Sequence, residues 1–251
     1  MKTKNFLRRS LIALTALCTF GAAQASVVFV AGTDAFSLHN DITFINPVLK
    51  TLQGASTKSV LVIGNDSFTN TSGVVTVNGG VNLTAAFAST LSSYSAIIFQ
   101  SPCCSDPAVR LNGFQASVDA FVDAGGGIFV EDYQGNALWD SILNISTTTV
   151  AAKVANNLTC IDPGVSTASG IAFGFNASYS EGCFVHQTYV NSYWTGEGFF
   201  ALQTGDNGKF VTMARGFADP DPAKVPEPAS IALAGFALLG LMAARRRARR
   251  D

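Results

Sequence analysis

Acid–base and nucleophilic chemistry needs carboxylates, imidazoles, thiols or hydroxyls held against one another, and this chain gathers such groups in few places. The first is Gly32-Thr33-Asp34-Ala35-Phe36-Ser37-Leu38-His39-Asn40-Asp41, where Asp34, His39 and Asp41 have the chemistry to ligate a metal or hydrogen-bond a sugar. The same residues also suit a capped, internally bonded loop. The second is Glu131-Asp132, two carboxylates that glycoside hydrolysis would use as acid and base. Neighbours on a strand point to opposite faces, so as a pair they fit that task poorly. His186 stands among Phe184, Tyr189, Tyr193 and Trp194, a setting that favours a packed imidazole over a ligand and core rings over sugar stacking. No Cys or His spacing matches a zinc site, so neither metal nor cofactor is expected.

Cysteines supply the remaining reactive atoms. Cys18 lies in the N-terminal segment, leaving Cys103, Cys104, Cys160 and Cys183. An even count in an exported chain favours disulfides, and four cysteines allow three connectivities. We expect Cys160–Cys183 with Cys103–Cys104 as a vicinal pair, cross-pairing being the competitor. A Cys103 or Cys104 nucleophile served by His39 or His186 needs a lowered thiol pKa, and nothing in the sequence supplies one.

The elements that must position these groups read as strands and helices in alternation. Ser26–Gly32, Ser59–Gly64, Tyr94–Gln100 and Ile128–Glu131 are short apolar runs of the kind that form buried strands. Asp41–Gln53 has helical spacing, with Asp41 as N-cap and Pro47 as a second place for the regular helix to begin. Asn65–Asn82 reads as a long loop or small hairpin, and Leu83–Leu91 as a short helix. Arg110–Asp123 reads as one helix closed by Gly125-Gly126-Gly127. Beyond Asn144 the chain becomes rich in Thr, Asn, Gly and Ser. Phe199–Gln203 and Lys209–Arg215 then predict a β-hairpin across a glycine-containing turn. Together these predict an α/β domain: a mostly parallel, flavodoxin-like sheet with flanking helices, a Cys-containing loop-rich part and a C-terminal β-hairpin. A strand-end crevice near Asp34, His39, Asp66, Ser101 and Asp132 is where such a sheet would bind a small ligand.

Both ends look like addresses rather than structure. Residues 1–25 have a basic start, an apolar stretch and Ala23-Gln24-Ala25 before Ser26, the pattern of a signal peptide cut between Ala25 and Ser26. The expected partners there are the Sec translocon and signal peptidase. Residues 26–218 form the exported domain, 219–228 a Pro-rich linker, 229–244 an apolar helix and 245–251 a basic tail on the cytoplasmic side. Sixteen uncharged residues from Ala229 to Ala244 reach about 24 Å as a helix, short of a hydrocarbon core of about 30 Å. Between Ser26 and Lys224 there are 7 Lys/Arg against 15 Asp/Glu, a net charge of −8. Such a domain repels nucleic acid. Six Asn-x-Ser/Thr triplets, at Asn65, Asn70, Asn82, Asn144, Asn157 and Asn176, are read as chance in an Asn/Ser/Thr-rich surface.

The order Val225-Pro226-Glu227-Pro228, apolar helix, arginine cluster resembles the PEP-CTERM sorting signal of Gram-negative bacteria. The resemblance implies recognition by an exosortase in the inner membrane, cutting near Pro226, Glu227 and Pro228, and release to the cell surface or beyond, often beside exopolysaccharide. Val27–Gly32, Tyr94–Gln100, Ala120–Val130 and Gly205–Ala214 also resemble the class I glutamine amidotransferase-like fold. Its catalytic members place a Cys or Ser on the turn after the strand matching Ile128–Glu131; here that turn reads Asp132-Tyr133-Gln134-Gly135, so no catalytic residue is assigned. The resulting expectation is an exported, non-catalytic surface or matrix protein, with polysaccharide as a partner. The alternatives are a divergent hydrolase of the amidotransferase-like superfamily and a sugar- or small-ligand-binding module.

Overall fold

The computed structural model describes residues 26–101, 107–133, 138–143, 153–161, 163–180 and 182–220; the expected signal peptide, apolar tail and basic end lie outside them. Five strands run parallel: β1 (Val28–Ala31), β2 (Val60–Ile63), β3 (Thr76–Asn78), β4 (Ala96–Phe99) and β5 (Gly127–Glu131). Their spatial order is β3-β2-β4-β5-β1. Six more continue the same sheet: β6 (Val154–Ile161), β7 (Gly164–Ser166), β8 (Ser178–Tyr179), β9 (Val185–Tyr189), β10 (Phe200–Thr204) and β11 (Phe210–Arg215). β11 lies antiparallel to β1 and to β10, and touches β9, which pairs with β6.

The sheet is therefore mixed rather than mostly parallel, and its strand order departs from the flavodoxin order 2-1-3-4-5. The cause lies beyond Asn144. The stretch expected to be loop-rich forms β6 to β9, whose polar residues hide the strand period. Asn65–Asn82 likewise holds no hairpin: β3 pairs parallel with β2. The expected hairpin forms as β10 and β11, with a register shift near Gln203.

Helices cover both faces. α1 (Ile42–Gln53) starts at Asp41, whose carboxylate accepts from Thr43 N at 2.9 Å, and runs through Pro47. It buries Phe44, Ile45, Val48, Leu49 and Leu52 on one face of the sheet. α2 is a single turn (Ala85–Ala88) followed by a 3-10 turn, shorter than the expected helix. The expected helix Arg110–Asp123 is two, α3 (Pro107–Leu111) and α4 (Gln115–Asp123). Asn112 at φ 50° and Gly113 at φ 80° break it, because consecutive left-handed residues cannot continue a right-handed helix. α4 and α5 (Leu138–Leu143) pack on the second face through Val118, Phe121, Trp139 and Ile142. α6 (Ala168–Phe173) and α7 (Asn191–Gly196) complete the fold, α7 burying Trp194. Among the described residues no helix is long and apolar enough to cross a membrane.

Candidate functional site

β1 and β5 are neighbours, yet β1 leads to α1 on one face and β5 to α5 on the other. Strands that part in this way leave their carboxyl ends as the natural crevice of such a sheet. Here β9 closes over it. Gly32 accepts from both His186 N (2.8 Å) and Gln187 N (3.0 Å), and a Cβ at Gly32 would sit 2.1 Å from the Gln187 carbonyl oxygen. Only glycine permits that crossing.

The crossing brings together groups far apart in sequence. Asp34 is 1% exposed, and both histidines of the protein point Nε2 at its carboxylate. His186 Nε2 meets Oδ2 at 2.9 Å. His39 Nε2 stands 3.2 Å from Oδ1, an ion-pair distance without hydrogen-bond alignment. His186 also packs on the ring of Tyr133 (5.4 Å between centroids) and His39 on Phe184 (5.8 Å).

Glu131 and Asp132 serve different walls, as alternation along a strand requires. Glu131 turns towards the loop before α1, accepting from Phe36 N (2.8 Å), Ser37 N (3.2 Å) and the Ser37 hydroxyl. Burial pushes its carboxyl up to about 8 against those three hydrogen bonds, with Asp34 adding to the rise. Asp132 turns towards β9 and accepts from Gln187 Nε2 at 3.2 Å. Burial, and then the charge of Asp132, raise the Tyr189 phenol well above its ordinary value.

The other expected crevice residues form a second group on β2 and β4. Gln100 brackets Asp66, accepting from its N–H (3.2 Å) and donating to its carbonyl (3.0 Å). The buried Arg110 guanidinium donates to Val81 O (2.8 Å) and to Ser101 O (3.5 Å). Burial lowers the Arg110 pKa, and the charge of Asp66 opposes that fall. Asp34, His39 and Asp132 thus gather at β1, β5 and β9, while Asp66 and Ser101 belong with Arg110. The sequence reading did not join His186 to Asp34, nor assign Ser37, Gln187 or Arg110. Gly32 was the one usable sign, a glycine at a strand end where another backbone passes.

Cys183 is disulfide-bonded and adopts φ 69° just before β9. Its partner lies outside the described side chains, as do Cys103 and Cys104. The backbone of Cys160 runs in β6, next to Ile161, which is in register with Val185. Among the described residues no group of three His, Cys, Asp or Glu is placed to hold a metal ion. Two clefts open elsewhere. One of about 290 Å³, between Gly54, Lys58, Tyr94 and Gly126, lies at the amino ends of the parallel strands; one of about 430 Å³ lies beside Asp119, Asp123 and Arg215.

Chemically, the carboxyl edge is a closed polar lock. It has imidazole–carboxylate pairs, but the hydroxyl nearest to an acid, that of Ser37, is bonded to Glu131 rather than to a histidine. A nucleophile needs its base within hydrogen-bond reach.

No curated protein and no solved structure matches the chain, so the amidotransferase-like resemblance of the folded domain gains no support from known proteins. The C-terminal end is different: residues 224–247 match the PEP-CTERM protein-sorting motif, and that motif implies an exported protein, processed by an exosortase and sorted to the cell surface or the extracellular space.

Proposed function

We propose that the folded domain is a non-catalytic component of the cell surface or extracellular matrix, held in or beside exopolysaccharide. The observation that carries this reading is the use made of the acid–base residues at the carboxyl edge. Asp34, Glu131 and Asp132 are all buried, and they fasten the loop after β1 and the strand β9 instead of facing solvent. Buried carboxyl groups need hydrogen-bond partners, and here Asp34, Glu131 and Asp132 find theirs within the chain, on His186, the Phe36–Ser37 loop and Gln187. In this reading the signal peptide is removed between Ala25 and Ser26. The apolar segment 229–244 then holds the precursor in the inner membrane until an exosortase cuts near Pro226-Glu227-Pro228. A segment of about 24 Å suits a brief stay better than a permanent anchor.

Intact-mass analysis of the protein recovered from the medium and matrix of its host tests the route. The expected species begins at Ser26, ends near Pro226–Pro228 and co-sediments with the polysaccharide fraction. A membrane-embedded species retaining Arg250 would overturn the release step. Hydrolysis of esters, amides or glycosides that disappears in Asp34→Asn would overturn the non-catalytic reading.

A further inference from the structure

We propose that the free edge of β3 is a self-association surface, through which two copies of this chain pair antiparallel and join their sheets into one. β3 ends the strand order, and among the described residues its one strand partner is β2. Val60 N donates to Val75 O (2.9 Å) and Gly79 N donates to Val62 O (2.7 Å), so odd-numbered residues of this stretch face β2. Thr76 and Asn78 therefore turn their N–H and C=O groups outwards.

The one guard of this edge is its shortness, three residues. The other usual guards, lysine, proline, a bulge or an inward charge, are missing: residues 67–105 contain no Asp, Glu, Lys or Arg, the strand contains no proline and its register with β2 is regular. Val75 (63% exposed) and Val81 (44%) stand open beside it. The rest of the domain carries the −8 charge, so two copies repel across most of their surface. This uncharged stretch is where two copies approach without that penalty, and its register suits a second copy of itself.

The edge is also self-complementary. With a two-fold axis at Val77, Thr76 of one copy faces Asn78 of the other, and each such pair exchanges two backbone hydrogen bonds. Val77 then meets its own counterpart in the closer, non-bonded register. Such an isologous pairing closes at two copies and uses up the edge. The contact is small, which places the dimer among weak, concentration-dependent ones. The inference does not depend on the matrix reading.

Sedimentation velocity on the exported form over a concentration series tests it. The expected result is a monomer–dimer equilibrium that strengthens as salt screens the acidic surfaces. Thr76→Pro removes an outward N–H that bonds to none of the described residues, and should shift the dissociation constant at least tenfold while leaving the melting temperature unchanged. Val75→Lys, at an exposed side chain, should weaken the dimer too and decides the matter if Thr76→Pro melts early. Ile171→Lys, exposed on α6 away from this edge, should leave the dimer intact. A monomer at every concentration, or a dimer indifferent to both edge variants, would overturn the proposal.

Discussion

The parallel and antiparallel halves of the sheet meet along the β1–β11 ladder and are held by different forces. In the parallel half β1, β2, β4 and β5 are buried along their whole length, and their side chains are mostly Val, Ile, Leu and Phe. Apolar burial, at about 25 cal/mol per Å², supplies most of what holds that half, with Glu131, Gln100 and Arg110 adding buried polar contacts at its carboxyl ends. The antiparallel half buries Gln187, Thr188, Gln203 and Thr212 completely. Some of these find polar partners, Thr212 Oγ1 donating to Gln203 Oε1 at 2.6 Å, while Thr188 Oγ1 and Gln203 Nε2 have none among the described residues. Stacked rings such as Tyr179 on Phe184 at 4.7 Å fill the space between strands and helices. One half is specified by what its residues are, and the other by what they meet.

The largest effect should come from removing the ring cluster of the antiparallel half. Trp194 is fully buried against Trp139, Tyr189, Tyr193 and Phe199, and its Nε1 donates to Lys153 O at 3.0 Å. Trp194→Ala should cost about 3–5 kcal/mol. Hydrogen exchange should then accelerate in β6, β9 and α7 before it does in β2 and β4. Uniform acceleration across all strands would show that the two halves open as one unit.

Glu131 sits at the seam and gives the comparison a pH axis. Its folded pKa, raised from 4.5 to about 8, means that the native state holds its proton more tightly than the unfolded chain does. That contribution is whole below pH 4.5, shrinks as pH rises and is gone above about 8. Between pH 5 and 8 the loss amounts to roughly 3–4 kcal/mol for an isolated group. Glu131→Gln imitates the protonated acid and keeps an oxygen for Phe36 N and Ser37 N. Thermal melts across pH should show the variant equal to the parent near pH 5 and more stable at pH 8. Parallel pH curves for the two proteins would mean that Glu131 is not the group responsible.

The same contrast explains what could be read in advance. Val28–Ala31, Val60–Ile63, Ala96–Phe99 and Gly127–Glu131 were legible because a strand buried on both faces is an uninterrupted apolar run. Val154–Ile161 is interrupted by Asn156, Asn157 and Thr159, and its strand character comes from pairing with β9. At the candidate site Asp34, His39 and Asp132 were legible as residue types. Their partner His186 was not, since it lies 152 residues from Asp34 and only the β9 crossing joins them. Mutual burial is likewise a property of the packed state: nothing local to Glu131 announces that the Phe36–Ser37 backbone will enclose it.

The smallest expected effect lies within the parallel half, at the α3–α4 joint. Asn112 and Gly113 both have positive φ, and a Cβ placed at Gly113 meets nothing within 4 Å. The site therefore tests backbone conformation without packing. Gly113→Ala should cost about 1 kcal/mol, because an L side chain resists φ 80° even in open space. Asn112→Gly relieves the φ 50° residue but adds freedom to the unfolded chain, so the two effects nearly cancel. Chemical denaturation of the pair separates the causes: equal losses in both variants would show that the Asn112 side chain, rather than the left-handed turn, sets the break between the two helices.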